Sequence, residues 1–177
     1  MVFCLINLLG TIGKEITTNV IIQQGIYVHQ NRNDIVRGAL EVDASHLLFT
    51  DGDMVFGTHH VVKLLEADKD IIAAAYNMRK FPLTSTVKLS DGNGHYRKDI
   101  KLPNGLFPCA AAGTGFMLIK MKVFKSLKEP WFQTPPTVDG KMLWGEDTFF
   151  CREALKAGFE VWAERFDDLK HIGNYYY

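Results

Sequence analysis

The chain has 177 residues, of which 47% are hydrophobic and 23% charged, proportions typical of one compact globular domain. Its formal net charge is zero, so no basic field indicates direct binding to nucleic acid and no acidic excess indicates a solvating tail. A phosphate-bearing ligand would therefore have to be bound locally, by a metal ion, a helix terminus or single basic residues. The three cysteines, Cys4, Cys109 and Cys151, form no CxxC pair, which predicts reduced thiols rather than a disulfide framework.

The first twelve residues are strongly apolar and raise the question of a secretion signal. They have no basic residue at their start, are interrupted by Asn7 and Gly10, and show no small-residue cleavage pattern before Lys14. The run is also shorter than the stretch of about 20 residues that spans a membrane. We therefore predict a helix that packs on the core of a cytoplasmic protein with no membrane span.

In chain order, apolar β-branched runs alternate with stretches of helical spacing, which predicts an α/β fold with a mostly parallel central sheet flanked by helices. The predicted strands cover 18–23, 46–50, 71–75, 115–120 and 160–163. The predicted helices cover 1–12, 33–42, 58–67, 121–127 and 147–157. Residues 82–108 are predicted to form a hairpin or long loop and 128–141 another loop, because both contain several Gly or Pro residues. The whole chain, 1–177, is predicted to be a single domain.

The clearest local signal is the triplet Asp51-Gly52-Asp53, which directly follows the apolar strand predicted at 46–50. In open α/β sheets, ligands bind at the carboxyl ends of the strands. Residues i and i+2 of an extended chain point to the same side, so Asp51 and Asp53 can converge on one point. A divalent cation would relieve the repulsion between two such carboxylates. The plain alternative is a polar turn, since the sequence DGD is common in turns.

Two further segments carry candidate functional side chains. Glu146 and Asp147 open the last predicted helix, where the helix dipole favours negative charge. One of them could act as a general base toward a hydroxyl group, or they could simply cap the helix. His171 follows the last predicted strand, and a neutral imidazole is a suitable partner for two carboxylates on a divalent ion. The neighbouring His59 and His60 are expected not to act together, because adjacent helical residues do not share a face.

Five motifs in a fixed order resemble those of the GT-A glycosyltransferases. They are Arg32-Asn33, Asp51-Gly52-Asp53, Gly113-Thr114-Gly115-Phe116, Gly145-Glu146-Asp147 and His171-Ile172-Gly173. The chain is most similar to the compact, family-2-like forms of phages and archaeal viruses, over roughly residues 15 to 173. The combined order is more specific than any single motif. The resemblance implies a single GT-A domain, an enzyme of hexosyltransferase type, and a location in the cytoplasm, that of the host if the protein is viral.

The same resemblance implies a metal site and a catalytic pair. Asp51, Asp53 and His171 would bind a Mn²⁺ or Mg²⁺ ion that holds the diphosphate of a nucleotide-sugar donor. Glu146 and Asp147 would face the acceptor, a glycan or a protein, as the catalytic carboxylates.

A donor site is implied as well. Its residues would be Arg32, Asn33, Asp51, Gly113 and Gly115. Arg32 and Asn33 would open the helix beneath the donor, although a surface salt bridge is the plain alternative for Arg32. Tyr76 and Arg79 would line the sugar pocket, unless Tyr76 belongs to the core.

The chain departs from the family at its start. Such enzymes begin with a strand whose following loop binds the nucleotide base, whereas this chain starts in what is predicted to be the next helix. Either residues 1–5 form a remnant of that first strand, or the strand is lacking. Two other functions are compatible with these residues. A haloacid-dehalogenase-like phosphatase would use Asp51 as nucleophile and Asp53 as acid/base, with Asp167 and Asp168 as a further acidic pair. A degenerate domain would bind a sugar nucleotide without catalysis.

Overall fold

The computed structural model describes residues 2–12, 16–92, 96–97, 101–136 and 144–173. The helices are α1 (Val2–Ile12), α2 (Val28–Glu41), α3 (Thr58–Glu66), α4 (Met121–Ser126) and α5 (Glu146–Lys156). The strands are β1 (His46–Thr50), β2 (Met54–Val55), β3 (Ile71–Ala75), β4 (Leu106–Cys109), β5 (Phe116–Lys120), β6 (Val161–Arg165) and β7 (Lys170–His171). The α/β prediction is confirmed. No helix in these ranges is both long and apolar enough to cross a lipid bilayer.

The main sheet has five strands in the order β1-β5-β3-β6-β4, and it is mixed. Only β3 and β6 pair in parallel; the β1–β5, β3–β5 and β4–β6 pairs are antiparallel. The prediction of a mostly parallel sheet is therefore wrong. A parallel pair needs a crossover connection, usually a helix, and the described part of the long link between β3 and β5 contains none. As a result, β5 enters the sheet from the opposite end.

Helices cover the sheet on both faces because β3 alternates its side chains between two cores. Ile71, Ala73 and Ala75 belong to a cluster with the buried residues of α2, α4 and α5. Ile72 and Ala74 belong to a second cluster with residues of α1 and α3. This alternation is the two-residue period of a strand buried on both sides.

The N-terminal region differs from prediction in two ways. Helix α1 confirms the predicted helix, and it excludes a remnant strand over the described residues 2–5. The strand predicted at 18–23 is wrong: this segment is irregular and exposed, with Ile22 76% exposed. Its β-branched residues suit a strand, but a strand needs a neighbour to pair with, and the segment has none among the described residues.

Three strands escaped prediction. β4 overlaps the end of the stretch 82–108, predicted to be a hairpin or loop, and β2 and β7 are two-residue strands that pair with each other. Strands this short have no readable periodicity. The predicted loop at 128–141 contains no helix or named strand as far as Pro136, and its remainder lies outside the described residues.

Candidate active site at the end of β1

The pairing of β2 with β7 brings Asp53 and His171 together. Met54 is the register partner of His171, and the Ile172 N–H donates to the Asp53 carbonyl oxygen at 2.8 Å. As a result, Nε2 of His171 lies 3.3 Å from Oδ2 of Asp53. The other ring nitrogen, Nδ1, lies 3.0 Å from the carbonyl oxygen of Asn77. A carbonyl only accepts, so Nδ1 carries the proton that faces Asn77, and Nε2 is the ring atom turned toward Asp53, where it can donate as N–H or bind a metal ion through its lone pair.

Arg79 also contacts the Asp53 carboxylate. Its Nη1 atom lies 2.7 Å from Oδ2 of Asp53, the same oxygen that faces His171. The Asp53 carboxylate therefore already has one cation, the Arg79 guanidinium, against it.

Asp51 lies at the same end of the sheet but faces another partner. Its backbone N–H donates to the Gly115 carbonyl at 2.9 Å, which continues the β1–β5 ladder by one residue. Its carboxylate is 44% exposed and lies 3.6 Å from Nη2 of Arg32. Within the described residues, Asp51, Asp53 and His171 do not form a set of three ligand atoms within 4.8 Å of one another. The structure thus pairs Asp53 with His171 and leaves Asp51 to one side.

Arg32 joins three elements beneath this site. Its side chain is only 9% exposed, and its Nη1 atom forms an ion pair with Glu146 while Nη2 faces Asp51. The guanidinium carbon lies 6.0 Å from the centre of the Phe132 ring, which covers it on one side. A surface salt bridge, the plain alternative for Arg32, is therefore wrong, because its ion pair with Glu146 is largely buried. Arg32 links α2 to the end of β1 and the start of α5.

The acidic pair lies at the first turn of α5, as predicted. Glu146 is held by Arg32, whereas Oδ1 of Asp147 accepts from the backbone N–H of Thr148 at 2.6 Å. The Thr148 hydroxyl in turn accepts a hydrogen bond from Nζ of Lys88 at 2.8 Å. The two carboxylates therefore have different environments, one in a buried ion pair and one at the helix terminus.

Asn33, predicted to contact the donor, is buried and bonded to the backbone. Its amide donates to the carbonyls of Phe132 and His29, both at 2.9 Å, and its Oδ1 accepts from the Phe132 N–H at 3.1 Å. These bonds fix the loop that covers Arg32. A direct contact of Asn33 with a ligand stays a prediction.

The two glycines of the Gly-Thr-Gly motif pack closely against Tyr76. A Cβ at Gly113 would lie 2.6 Å from the Tyr76 hydroxyl oxygen, and a Cβ at Gly115 would lie 2.3 Å from it. At Gly115 it would also lie 2.9 Å from Oδ2 of Asp51. Tyr76 is buried, and burial raises the pKa of its hydroxyl well above the usual range, so it is protonated. The core position of Tyr76 is confirmed, and the same residue also lines a cleft.

Two clefts lie near these residues. One, of about 470 Å³, is lined in part by Tyr76, Asn77, Ser85, Arg165 and Lys170. The other, of about 530 Å³, lies on the α2 side and is lined in part by His29, Asn33, Arg37 and Phe132. The first cleft is connected to the Asp53–His171 pair through Asn77, which lines it and whose carbonyl oxygen contacts His171.

The sequence missed two partners of this site, the pairing of Arg79 with Asp53 and the Asn77 carbonyl. Arg79 was assigned to the sugar pocket only, and its sequence neighbourhood has no motif that identifies its partner. The Asn77 carbonyl has no sequence signal, since every residue has a carbonyl.

Comparisons with known proteins bear on the fold. No family matches the chain, and no curated protein matches it. Among solved structures, A197 from STIV is similar, with a TM-score of 0.62 and 22% sequence identity. The alignment covers 96% of this chain and 78% of that chain. At this identity the likeness shows a shared fold alone.

Proposed function

We propose that this chain is a metal-dependent glycosyltransferase of the GT-A type, which moves a sugar from a nucleotide-diphosphate donor to a glycan or protein acceptor. The observation that carries the proposal is the Asp53–His171 pair. It lies just beyond the carboxyl end of β1, and the carbonyl oxygen of Asn77, two residues after β3, orients the histidine. A carboxylate and a correctly oriented imidazole are ligands that Mn²⁺ accepts, and the carboxylate already attracts a guanidinium.

Asp53 and His171 would hold the ion, with Asp51 reaching it once its side chain turns from Arg32. A divalent ion bound here would supply positive charge to the leaving diphosphate. Arg79 would then exchange its contact with Asp53 for one with a phosphate oxygen, since a guanidinium binds phosphate and carboxylate in the same way. These roles use residues that lie at one end of the sheet.

Asp147 is the better candidate for the general base. Glu146 is engaged by the buried Arg32 guanidinium, and removing that carboxylate from its partner would leave a charge unpaired. Asp147 lies one residue further into the same helix terminus and is anchored through Oδ1 by Thr148. We therefore assign proton abstraction from the acceptor hydroxyl to Asp147, and the positioning of Arg32 and Asp51 to Glu146.

The phosphatase alternative has less support. It would need Asp168 to join Asp51, but the Asp168 carboxylate contacts His59 and His60 at 2.9 and 3.0 Å. The other alternative, a degenerate domain that binds a sugar nucleotide without catalysis, is distinguished from the enzyme by the sugar-transfer test below.

The test is titration calorimetry of uridine, guanosine, cytidine and adenosine diphosphates with and without Mn²⁺. We expect one nucleotide to bind only with metal, and Asp53→Ala to abolish that binding. Asp34→Ala is the matched control, since it removes an exposed aspartate on α2 that pairs with Arg37. Equal folding of all three proteins would be checked by circular dichroism.

Sugar transfer separates the enzyme from a binding domain. The nucleotide that binds would be offered as its sugar conjugate, and release of the free diphosphate would be measured in wild type and Asp147→Asn. Metal-dependent binding without any release, in the presence of an acceptor panel, would favour the non-catalytic domain. Absence of metal-dependent binding to all four nucleotides would overturn the proposal.

A further inference from the structure

A second cluster of metal-ligating side chains lies outside the proposed active site, where the first turn of α3 meets the connection between β6 and β7. Nε2 of His59 lies 2.9 Å from Oδ2 of Asp168, and Nε2 of His60 lies 3.0 Å from Oδ1 of the same carboxylate. The three ligand atoms lie within 4.8 Å of one another, and they are the one such group among the described residues.

The structure overturns the expectation that His59 and His60 do not act together. Their ring centres are 3.9 Å apart, and both rings point their Nε2 atoms at Asp168. Gly57 makes this possible, because a Cβ there would lie 2.7 Å from Nδ1 of His59. The absence of a side chain at the residue before α3 lets the His59 ring turn back over the helix terminus, beside the ring of His60.

The backbone of Gly57 holds the ring of His60 in place. Its Nδ1 atom accepts a hydrogen bond from the Gly57 N–H at 2.9 Å and lies 3.2 Å from the Gly57 carbonyl oxygen. In this tautomer Nε2 carries the proton and donates to Asp168; an ion bound to Nε2 would move that proton to Nδ1, where the Gly57 carbonyl oxygen can accept it. The ring is buried and packs edge-on against Phe166 at 4.6 Å, so its direction is fixed.

From this geometry we infer that His59, His60 and Asp168 form a binding site for a Zn²⁺ ion, separate from the Asp53–His171 site. Two imidazole nitrogens and one carboxylate oxygen are a zinc ligand set, with water completing the coordination. The set differs from that of the proposed active site, which has two carboxylates and one imidazole and suits Mn²⁺ or Mg²⁺. The two sites are therefore expected to prefer different ions.

The site would stiffen the part of the fold that carries His171. His59 and His60 follow β2 by a few residues, and Asp168 precedes β7 by two. An ion bound by all three would tie α3 to the β6–β7 connection at the end of the β2–β7 pair where Val55 faces Lys170. The nearby cation Lys63 does not oppose it, because Nζ of Lys63 is paired with the buried Glu164 at 2.6 Å.

The test is Zn²⁺ titration of the full chain by calorimetry, with Co²⁺ absorption as a second probe, on wild type, His59→Ala and Asp168→Asn. Both side chains are exposed, so these variants should fold, and Asp168→Asn retains a hydrogen-bond acceptor for the rings. We expect wild type to bind one Zn²⁺ ion tightly. Loss of a residue that merely supports a metal ligand lowers affinity about 10- to 100-fold, so His59→Ala and Asp168→Asn, which change the ligands themselves, should lower it at least as much. Zn²⁺ at 100 times its Kd should raise the Tm by about 5 to 10 °C.

Two controls separate this site from the proposed active site. His46→Ala removes an exposed histidine elsewhere and should leave Zn²⁺ affinity unchanged. Asp53→Ala should abolish Mn²⁺-dependent nucleotide binding and leave Zn²⁺ affinity unchanged. The inference is overturned if wild type binds no Zn²⁺, if His59→Ala and Asp168→Asn bind it as tightly as wild type, or if Asp53→Ala removes it.

Discussion

The backbone N–H of Gly115 donates a hydrogen bond to the Tyr76 hydroxyl oxygen at 3.0 Å. This bond ties the start of β5 to the residue that follows β3, and it lies beside the carboxylate of Asp51. Tyr76 also packs edge-on against His171, with ring centres 5.2 Å apart. A single buried tyrosine therefore contacts two of the predicted site motifs, through Gly115 of the Gly-Thr-Gly-Phe motif and through His171.

Gly115→Ala should destabilise the protein through the Tyr76 hydroxyl. The new methyl group would overlap that oxygen and Oδ2 of Asp51, and overpacking of this kind costs about 1–3 kcal/mol. Adding Tyr76→Phe removes the oxygen, so the double variant should lose less than the sum of the two single losses in urea unfolding. Gly10→Ala is the control with the opposite sign, because nothing lies near it and alanine favours a helix by about 0.5–1 kcal/mol. Strict additivity of Gly115→Ala and Tyr76→Phe would contradict the contact.

Asn33→Ala should lower stability while leaving nucleotide affinity of the folded protein within about twofold. The substitution strands the buried N–H and carbonyl of Phe132, at a cost of about 1–3 kcal/mol. Thermal unfolding and calorimetry measure the two quantities separately. Asn31→Ala is the control, since its amide makes one exposed bond to the Gly25 carbonyl. A direct donor contact, as the family resemblance implies, would instead reduce nucleotide affinity strongly with little change in Tm.

Arg32→Met should be much more costly than the same change at Arg37. Arg32 is buried and compensates Glu146, which is 18% exposed, so its loss leaves a carboxylate poorly solvated; allowing for that exposure, we expect about 1–3 kcal/mol. Arg37 is half exposed and pairs with Asp34 and Glu129 at the surface, where water and salt screen such pairs and their loss changes stability little. Urea unfolding of both variants provides the comparison, and equal losses would argue against a buried role for Arg32.

The thiols should report on global unfolding. Burial raises the pKa values of Cys151 and Cys109 well above the usual range of a thiol, so at pH 8 both stay protonated and unreactive in the folded protein. Cys4 is only partly buried. We expect one thiol per native chain to react fast with a thiol reagent, and this reaction to be absent in Cys4→Ser. The other two thiols should react only after denaturation. Fast reaction of three equivalents in the native state would show that the core opens locally.

Much of the local structure followed from the sequence. The predicted helices at 33–42, 58–67 and 147–157 match α2, α3 and α5 to within a turn or so, because their apolar spacing marks one face. The prediction that Asp51 and Asp53 directly follow a strand, and that Glu146 and Asp147 open a helix, is confirmed. These are properties of short segments, in which side-chain periodicity and capping decide the outcome.

The candidate site itself depends on contacts between distant segments. The ion pair of Arg32 with Glu146 spans 114 positions, and the contact of Asp53 with His171 depends on a two-residue pairing of β2 with β7. The joint orientation of His59 and His60 toward Asp168 likewise depends on the space left by Gly57.

The sequence by itself therefore determined which segments form helices and strands, and which of them end in chemically capable side chains. Only the tertiary structure decided the direction of β5, the failure of 18–23 to form a strand, and which carboxylate meets which histidine. Periodicity records which faces of a segment are buried, and it is the same for either strand direction and any partner. Pairing depends instead on the path of the connections and on the packing of side chains from separate parts of the chain.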